Sequence, residues 1–541
     1  MPIEIPILEP SRWWERTKGE HMAERHFNVV VIGGGPGGYV GAIRAAQMGY
    51  SVAVVERAKL GGVCLNWGCI PSKALLANAE LYEKVSGKVD GWGLKIEGKV
   101  SLDWDKIIGR SRDVASKLNQ GIAFLMKKNK VTHINGSAKI VAGKGPANGK
   151  EMPGAKCRVE IQECKVQEEL TSAPATPGKA VETITCDHVI VATGSVARDL
   201  PFAKFDGDKI WGAREAMYNK QQPGRLIVIG AGAIGMEFAY FYHTMGSKVT
   251  VVEMQDRILP VEDKDISEAL AKHYRKIGMD LKTGYTTSNV EKTASGVKVT
   301  VAPVVNGKAD ESKKETLEAD RVLVAIGVKG RTDGLCDASL GLKIEKDHIV
   351  TDYVPGKTIN QTVDYKTNIP GIYAIGDVIG PPWLAHVASE EAILCVERIA
   401  WREKKLNHEP IPMDYSGIPG CTYCLPQVAS VGATEQKLIA DGLVKGKDYQ
   451  VGTFPFSASG KAIAAAHTEG MVKIIRGIPR GEILGAHILG DQATELISEM
   501  TLARRLEATT EEIICTVHAH PTMHEAIHEA ALAAEGRVIH A

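Results

Sequence analysis

Two segments of this chain share one plan, and that plan limits the folds open to it. The first is FNVVVIGGGPGGYVGAIRAAQMGYSVAVVER (27–57) and the second is GRLIVIGAGAIGMEFAYFYHTMGSKVTVVEM (224–254). Each runs from an apolar β-type stretch through a Gly-x-Gly-x-x-Gly turn into a helix rich in alanine or aromatic residues. A second β stretch follows and ends in glutamate. Glu56 lies 23 positions after Gly33, and Glu253 lies 23 after Gly230. A single glycine fingerprint is weak evidence, but the full strand–turn–helix–strand–acid context in equal register twice is strong. In each copy the first glycine (Gly33, Gly230) permits the tight turn and the second (Gly35, Gly232) lets a pyrophosphate approach the backbone. The third (Gly38, Gly235) lets helix and strand pack closely. Pro36 and Gly37, and Ala233 and Ile234, open helices whose N-termini offer free N–H groups and a positive dipole end. Glu56 and Glu253 suit ribose hydroxyls and repel a 2′-phosphate. The pattern points to two dinucleotides, or one enzyme joining two of them, over two glycine-rich turns without ligand.

The remaining sequence predicts how these copies are embedded. HVIVATGS (188–195) and RVLVAIGV (321–328) are buried β runs that return the chain to a sheet, and TNIPGIYAIGDV (367–378) is another strand ending at Gly376–Asp377. The stretch 141–180 reads as a loop or hairpin insertion, on the turn-forming GKGPANGKEMPG and SAPATPG. Beyond about Asp414 the fingerprints stop, and segments such as VASVGAT and MVKIIRG precede helices in an α+β pattern. The expected class is α/β, with two Rossmann-like domains and a C-terminal α+β domain. The expected boundaries are an N-terminal arm 1–25, a first nucleotide domain 26–208, a second 209–328, a return to the first 329–410, and the last domain 411–541.

Composition narrows the function classes. At 541 residues, 44% hydrophobic and 24% charged, the chain matches a globular protein of several domains. Its 65 basic and 65 acidic side chains balance, which gives no electrostatic case for nucleic acid or an anionic membrane. No apolar run reaches the ~20 residues of a transmembrane helix. Residues 1–25 lack a signal peptide's apolar centre and are too acidic for a transit peptide, so a cytoplasmic location is expected. Ten cysteines are too few for a disulfide scaffold and read mostly as reduced thiols.

Cys64 and Cys69 in GGVCLNWGCIPSK (61–73) need their own explanation. They run into IPSKALLANAELYEKV, a helix opened by Pro71, and a thiol at a helix N-terminus has its thiolate stabilised. A zinc pair favours two to four intervening residues and a matching second pair, and CTYC (421–424) is a poor candidate for it. A static disulfide suits this compartment badly. A redox-active pair beside the first fingerprint is the best reading of the three.

Together GGVCLNWGCIPSK, the two fingerprints, ATGS, YAIGD and HAHPTMHEA (518–526) resemble the pyridine nucleotide–disulfide oxidoreductases, from about Arg25 to the C-terminus and in that family's order. The resemblance implies FAD on Gly33, Gly35, Gly38 and Glu56, with Asp377 beside Gly376 on the ribitol. WLAH, through Leu384, Ala385 and His386, points a helix N-terminus at the flavin. NAD then falls on Gly230, Gly232, Gly235 and Glu253. Lys73, paired with Glu237, is implied near flavin N5. Ala138, where the family usually has glycine, together with Thr193, Gly194, Ser195 and Gly327, completes the implied cofactor contacts. Cys64 is implied to exchange with a dihydrolipoyl thiol and Cys69 to face the flavin. His520 is the implied base, Glu525 orients it, and the last domain is implied to form a homodimer that brings His520 to the partner's disulfide. The implied partners are dihydrolipoamide and the lipoyl-carrying subunits of 2-oxoacid dehydrogenase or glycine cleavage complexes. Glutathione- and mercuric-reductase-like activities are the alternatives within the family. Glu253 opposes the first, and the absence of a C-terminal cysteine pair opposes the second. A non-catalytic subunit of a complex fits poorly with an intact cysteine pair. His524 and His528, spaced by four from His520, also suit structural histidines or a metal face; no metal is expected.

Overall fold

The structure is a computed structural model that describes residues 25–87, 89–164, 178–354, 356 and 362–540. Residues 1–24 of the expected arm and 165–177 of the expected insertion lie outside the described residues.

The apolar runs around the first fingerprint become neighbouring strands. Strand His26–Ile32 pairs in parallel with Val52–Glu56 on one side and Ala180–Val191 on the other. Thr132–Asn135 extends this sheet beyond Val52–Glu56, and Ile372–Ala374 adds in parallel to Ala180–Val191. The continuous valine and isoleucine runs are buried on both faces, as parallel strands require. The insertion enters the same sheet: Cys157–Gln162 pairs antiparallel with both Ser137–Ala142 and Ala180–Val191, completing seven strands.

The second fingerprint builds a five-stranded parallel sheet, ordered 280–283, 248–253, 225–229, 321–324 and 210–211. Antiparallel strands 285–292, 297–305 and 315–319 cover it through a shared apolar cluster of Val297, Val299 and Val301. The chain crosses between the two nucleotide sheets twice, at Ser195–Ala197 and Val328–Gly330, which pair antiparallel.

From Gly420 a third sheet forms, of five antiparallel strands ordered 420–422, 427–432, 483–490, 471–477 and 449–455. Helices Ala493–Arg505 and Glu525–Ala534 bury Leu496, Met500, Ile527 and Ala530 against it. The architecture is α/β with a C-terminal α+β domain. Among the described residues no helix is long and apolar enough to cross a membrane.

Candidate active site

The two fingerprint turns are near copies in three dimensions. Gly33 and Gly230 hold φ of +105° and +98°, a region that favours glycine. A Cβ on Gly38 would lie 1.8 Å from the Gly33 carbonyl oxygen, and one on Gly235 would lie 2.0 Å from that of Gly230. The third glycine is therefore demanded by the turn itself. By contrast, a Cβ on Gly35 would find nothing nearer than 3.8 Å, and one on Gly232 nothing within 4 Å. Those backbones are uncovered on the side where a pyrophosphate would approach. Helices Pro36–Gln47 and Ala233–Thr244 start there without a side-chain cap, leaving N–H groups for a ligand.

Each closing glutamate is locked into its own turn. Glu56 Oε2 accepts the Gly34 N–H at 2.6 Å and its Oε1 accepts the Ala58 N–H at 2.8 Å. Glu253 repeats this with Ala231 at 2.7 Å and Gln255 at 2.8 Å. Burial pushes the Glu56 carboxyl up, against those N–H groups.

Cys64 sits in the short helix Gly62–Trp67, and Cys69 begins the helix Cys69–Ser86 after a break at Gly68. Both are free thiols. The Cys64 thiol hydrogen-bonds Cys69, and this bond, ahead of the nearby Lys73 ammonium, holds Cys69 below the usual thiol range. The same bond, together with burial, pushes Cys64 up. The pair is thus electrically unequal: the thiolate is favoured at Cys69 and disfavoured at Cys64. Helical spacing explains the lysine, because Lys73 is four residues after Cys69 and shares its face. Lys73 Nζ donates to both oxygens of Glu237, at 2.9 Å each, so helix Cys69–Ser86 is tied to the second fingerprint's helix.

Around the return strand, Ser195 Oγ donates to Asp377 Oδ2 at 2.6 Å, and burial pushes the Asp377 carboxyl up. Thr193 Oγ1 donates to the Arg331 carbonyl at 2.8 Å, and the Gly194 carbonyl, at φ of +70°, accepts the Arg331 N–H at 2.9 Å. Gly327 has φ of +113° and accepts from the Arg198 N–H. Helix Ala385–Arg402 starts after Leu384 with no side-chain cap. His386 turns its Nε2 to the Pro419 carbonyl, 3.1 Å away, so what this turn offers a ligand is backbone N–H. Ala138 is buried in its strand opposite Ile161.

His520 lies apart from these groups in sequence and in setting. Its Nδ1 is 2.8 Å from Glu525 Oε1, and Glu525 Oε2 accepts the Thr522 N–H at 2.9 Å. Partial burial raises the Glu525 carboxyl, but the bonds from His520 and Thr522 outweigh it and hold it low. The His520 side chain is 80% exposed. Of the neighbouring histidines, His524 is 3.8 Å from Glu499, and His528 bonds the Ile514 carbonyl. Among the described residues no three His, Cys, Asp or Glu side chains are grouped to hold a metal ion.

Three participants escape a reading by motif. Glu391 accepts the Gly376 N–H at 2.6 Å and the Tyr415 hydroxyl at 2.8 Å, fixing the turn that carries Asp377. Arg331 pins Thr193 and Gly194 through its backbone. Tyr423, inside CTYC, lies against Lys73. Arg331 and Tyr423 act across long sequence separations, and Glu391, 15 residues after Gly376, belongs to no motif that announces it.

This fold, with two dinucleotide turns flanking an unequal dithiol, defines a class. The chain belongs to the pyridine nucleotide-disulphide oxidoreductase family, whose model matches residues 27–392, with the family's dimerisation domain matching 418–531. It is similar to dihydrolipoyl dehydrogenases: 44% identical over 520 residues to that of Rhizobium etli, covering 96% of this chain and 100% of that one. To the Bacillus subtilis enzyme it is 39% identical, covering 95% and 99%. To the mitochondrial enzyme of Pisum sativum it is also 39% identical, covering 95% and 92%. Among solved structures, LpdA from Mycobacterium tuberculosis matches with a TM-score of 0.76 at 25% identity, covering 93% of this chain and 99% of that one. The flavoprotein disulfide reductase RclA from Escherichia coli, at 22% identity and a TM-score of 0.74 over 94% and 99%, shares the fold.

Proposed function

We propose that this chain is an FAD-dependent dihydrolipoyl dehydrogenase that reoxidises dihydrolipoyl groups with NAD⁺. The observation that carries the reading is the unequal Cys64–Cys69 pair beside Lys73 and Glu237, between two dinucleotide turns that both end in a locked glutamate. The uncovered backbones at Gly35 and Gly232 fit two pyrophosphates. FAD belongs on the first turn, held by Gly33, Gly35, Gly38, Glu56, Ser195, Asp377 and the N–H groups after Leu384. NAD belongs on the second, held by Gly230, Gly232, Gly235 and Glu253. When bound, FAD supplies two-electron acceptance from the dithiol and hydride delivery to NAD⁺.

The chain's own groups do the rest. In the oxidised enzyme Cys64 and Cys69 share a disulfide, and a dihydrolipoyl thiolate attacks Cys64 Sγ. The S–S bond breaks, a mixed disulfide forms, and Cys69 leaves as a thiolate that Lys73 stabilises. The second dihydrolipoyl thiol then displaces Cys64, releasing the cyclic lipoyl disulfide. His520 takes the proton, and Glu525 holds the imidazole and stabilises its charged form.

His520 acts across a homodimer in this reading. Exposed Leu502, Leu506 and Val517 lie beside His518 on the same domain and offer a second copy an apolar face. The natural electron donors are lipoyl groups on carrier subunits of 2-oxoacid dehydrogenase or glycine cleavage complexes, in the cytoplasm where free cysteines stay reduced.

The test is anaerobic: dihydrolipoamide added to the holoenzyme gives a thiolate–flavin charge-transfer band, and added NAD⁺ then yields NADH. Faster turnover with glutathione disulfide and NADPH overturns the assignment.

A further inference from the structure

Tyr423 stands between strands Gly420–Thr422 and Gln427–Gly432 of the C-terminal sheet, yet it reaches the redox centre. Its backbone N–H donates to Glu237 Oε1 at 3.0 Å, and the Lys73 ammonium lies 4.2 Å from the centre of its ring. Lys73 thereby meets three elements: its own helix, the Glu237 carboxylate on the second fingerprint's helix, and an aromatic face from the third domain. We infer that Tyr423 is a positioning residue, its ring capping the Lys73 ammonium and its backbone N–H fixing Glu237, so that the C-terminal domain sets how the lysine's charge is presented to Cys69. The inference deepens the dithiol reading above and rests on it.

The physical case concerns competing attractions. Glu237 engages Lys73 with both oxygens, and a carboxylate free to move would draw the ammonium after it. The Tyr423 N–H takes part of the charge on Oε1 and anchors that carboxylate. The negative face of the ring, well within the ~6 Å range of a cation–π contact, compensates the ammonium on a side where water would otherwise do so. Without the ring, the ammonium hydrates and its mean position moves.

The groups acting on Cys69 come from several elements. Cys64, from the preceding helix, and Lys73 hold Cys69 down, while Glu237 pushes it up. Tyr39, on the first fingerprint's helix, neighbours Cys64. Tyr423 itself faces Cys421, Glu237, Glu495 and Cys69, and burial with these charges pushes its hydroxyl up to about 12, so it stays neutral near pH 7. Its influence is through the π face and the backbone. A packing role alone would be met by any apolar side chain of similar bulk.

That difference makes the test. In a Cys64→Ser background, the rate of Cys69 alkylation by iodoacetamide is followed against pH, in protein with and without FAD. Tyr423→Phe keeps ring and N–H and retains the parent midpoint. Tyr423→Leu moves the midpoint up by about half to one pH unit, about three- to tenfold less thiolate at a fixed pH below it. Replacement of Tyr423 by pentafluorophenylalanine, which keeps the ring's shape and empties its negative face, moves the midpoint in the same direction and stands in where the leucine variant fails to fold. Equal midpoints for the phenylalanine and pentafluorophenylalanine proteins overturn the inference. Failure of the underlying reading shows separately: the unmodified enzyme then forms no NADH from dihydrolipoamide.

Discussion

Glu253 accepts a hydrogen bond from the backbone N–H of Ala231 at 2.7 Å, and this bond decides where a negative charge stands in the second dinucleotide turn. With Gln255 on its other oxygen, the carboxylate is oriented before any ligand arrives. It suits ribose hydroxyls and opposes a 2′-phosphate through charge repulsion and desolvation. Glu253→Gln is expected to lower kcat/KM for NAD⁺ by about 10- to 100-fold, the scale of a charged hydrogen bond. It narrows the preference over NADP⁺ without reversing it, since no arginine is added to grip the phosphate. Steady-state kinetics with both nicotinamides check this, and a wild-type preference for NADP⁺ refutes the role of Glu253.

The hydrogen bond between Cys64 and Cys69 predicts unequal mutants. Cys64→Ser removes the sulfur that exchanges with substrate, so dihydrolipoamide oxidation is lost, while the Cys69 thiolate still gives charge-transfer absorbance with bound flavin. Cys69→Ser loses both. In Cys64→Ser the Lys73 ammonium still favours the Cys69 thiolate, and that absorbance fades as acid protonates Cys69. A single mutant with full activity refutes the redox-pair assignment.

What the sequence disclosed about this site was local. The glycine turns, Glu56, Glu253 and the Cys64–Cys69 pair declare themselves because their chemistry needs neighbours within one turn or one βαβ unit. Lys73–Glu237 and His520–Glu525 became visible through family resemblance, since the first pair is 164 residues apart and nothing in its spacing implies contact. Tyr423 stayed hidden for the same reason, 186 residues from Glu237, and CTYC was weighed only as a poor candidate for a metal pair. Pairing within the first sheet was similarly obscure. The stretch 141–180 is rich in turn formers, yet Cys157–Gln162 became a paired strand because its alternate residues Cys157, Val159 and Ile161 are buried.

Lys473 predicts how the domains hold together. Its ammonium, on the C-terminal sheet, bonds Asp263 at 2.8 Å, Asp265 at 2.6 Å and Glu435 at 2.8 Å, with the Lys473 side chain 1% and that of Asp263 0% exposed. Burial raises the Asp263 carboxyl, but its bonds, led by Lys473, outweigh this and hold it low, so its stabilisation is present above the ordinary carboxylate pKa. It is lost as pH falls through the depressed folded value. Burial lowers Lys473, but its three carboxylates outweigh this and hold it high. Its contribution is present below the ordinary lysine pKa and is lost as pH rises through the folded one. Lys473→Met leaves a buried carboxylate unpaired and is expected to cost about 3–5 kcal/mol. Denaturant unfolding across pH measures both, and a loss under 1 kcal/mol at pH 7 refutes the coupling.

His520 is the residue whose setting asks for a second chain. It is bonded to Glu525 but otherwise 80% exposed, in the domain matched by the family's dimerisation model. A two-fold dimer is isologous, so each of its two sites would take Cys64 and Cys69 from one chain and His520 with Glu525 from the other. Loss of a general base costs on the order of 10²–10⁴ in rate, so pure His520→Gln enzyme is nearly inactive. Pure Cys64→Ser enzyme is inactive too. When the two variants are combined by co-expression with different affinity tags, each purified mixed dimer has one site with both defects and one with neither. Activity should return at about half the wild-type rate per dimer, as two independent sites require. If the base instead served the disulfide of its own chain, every site in the mixed dimer would carry one defect. Mixed dimers as inactive as their parents would therefore rule out the shared site.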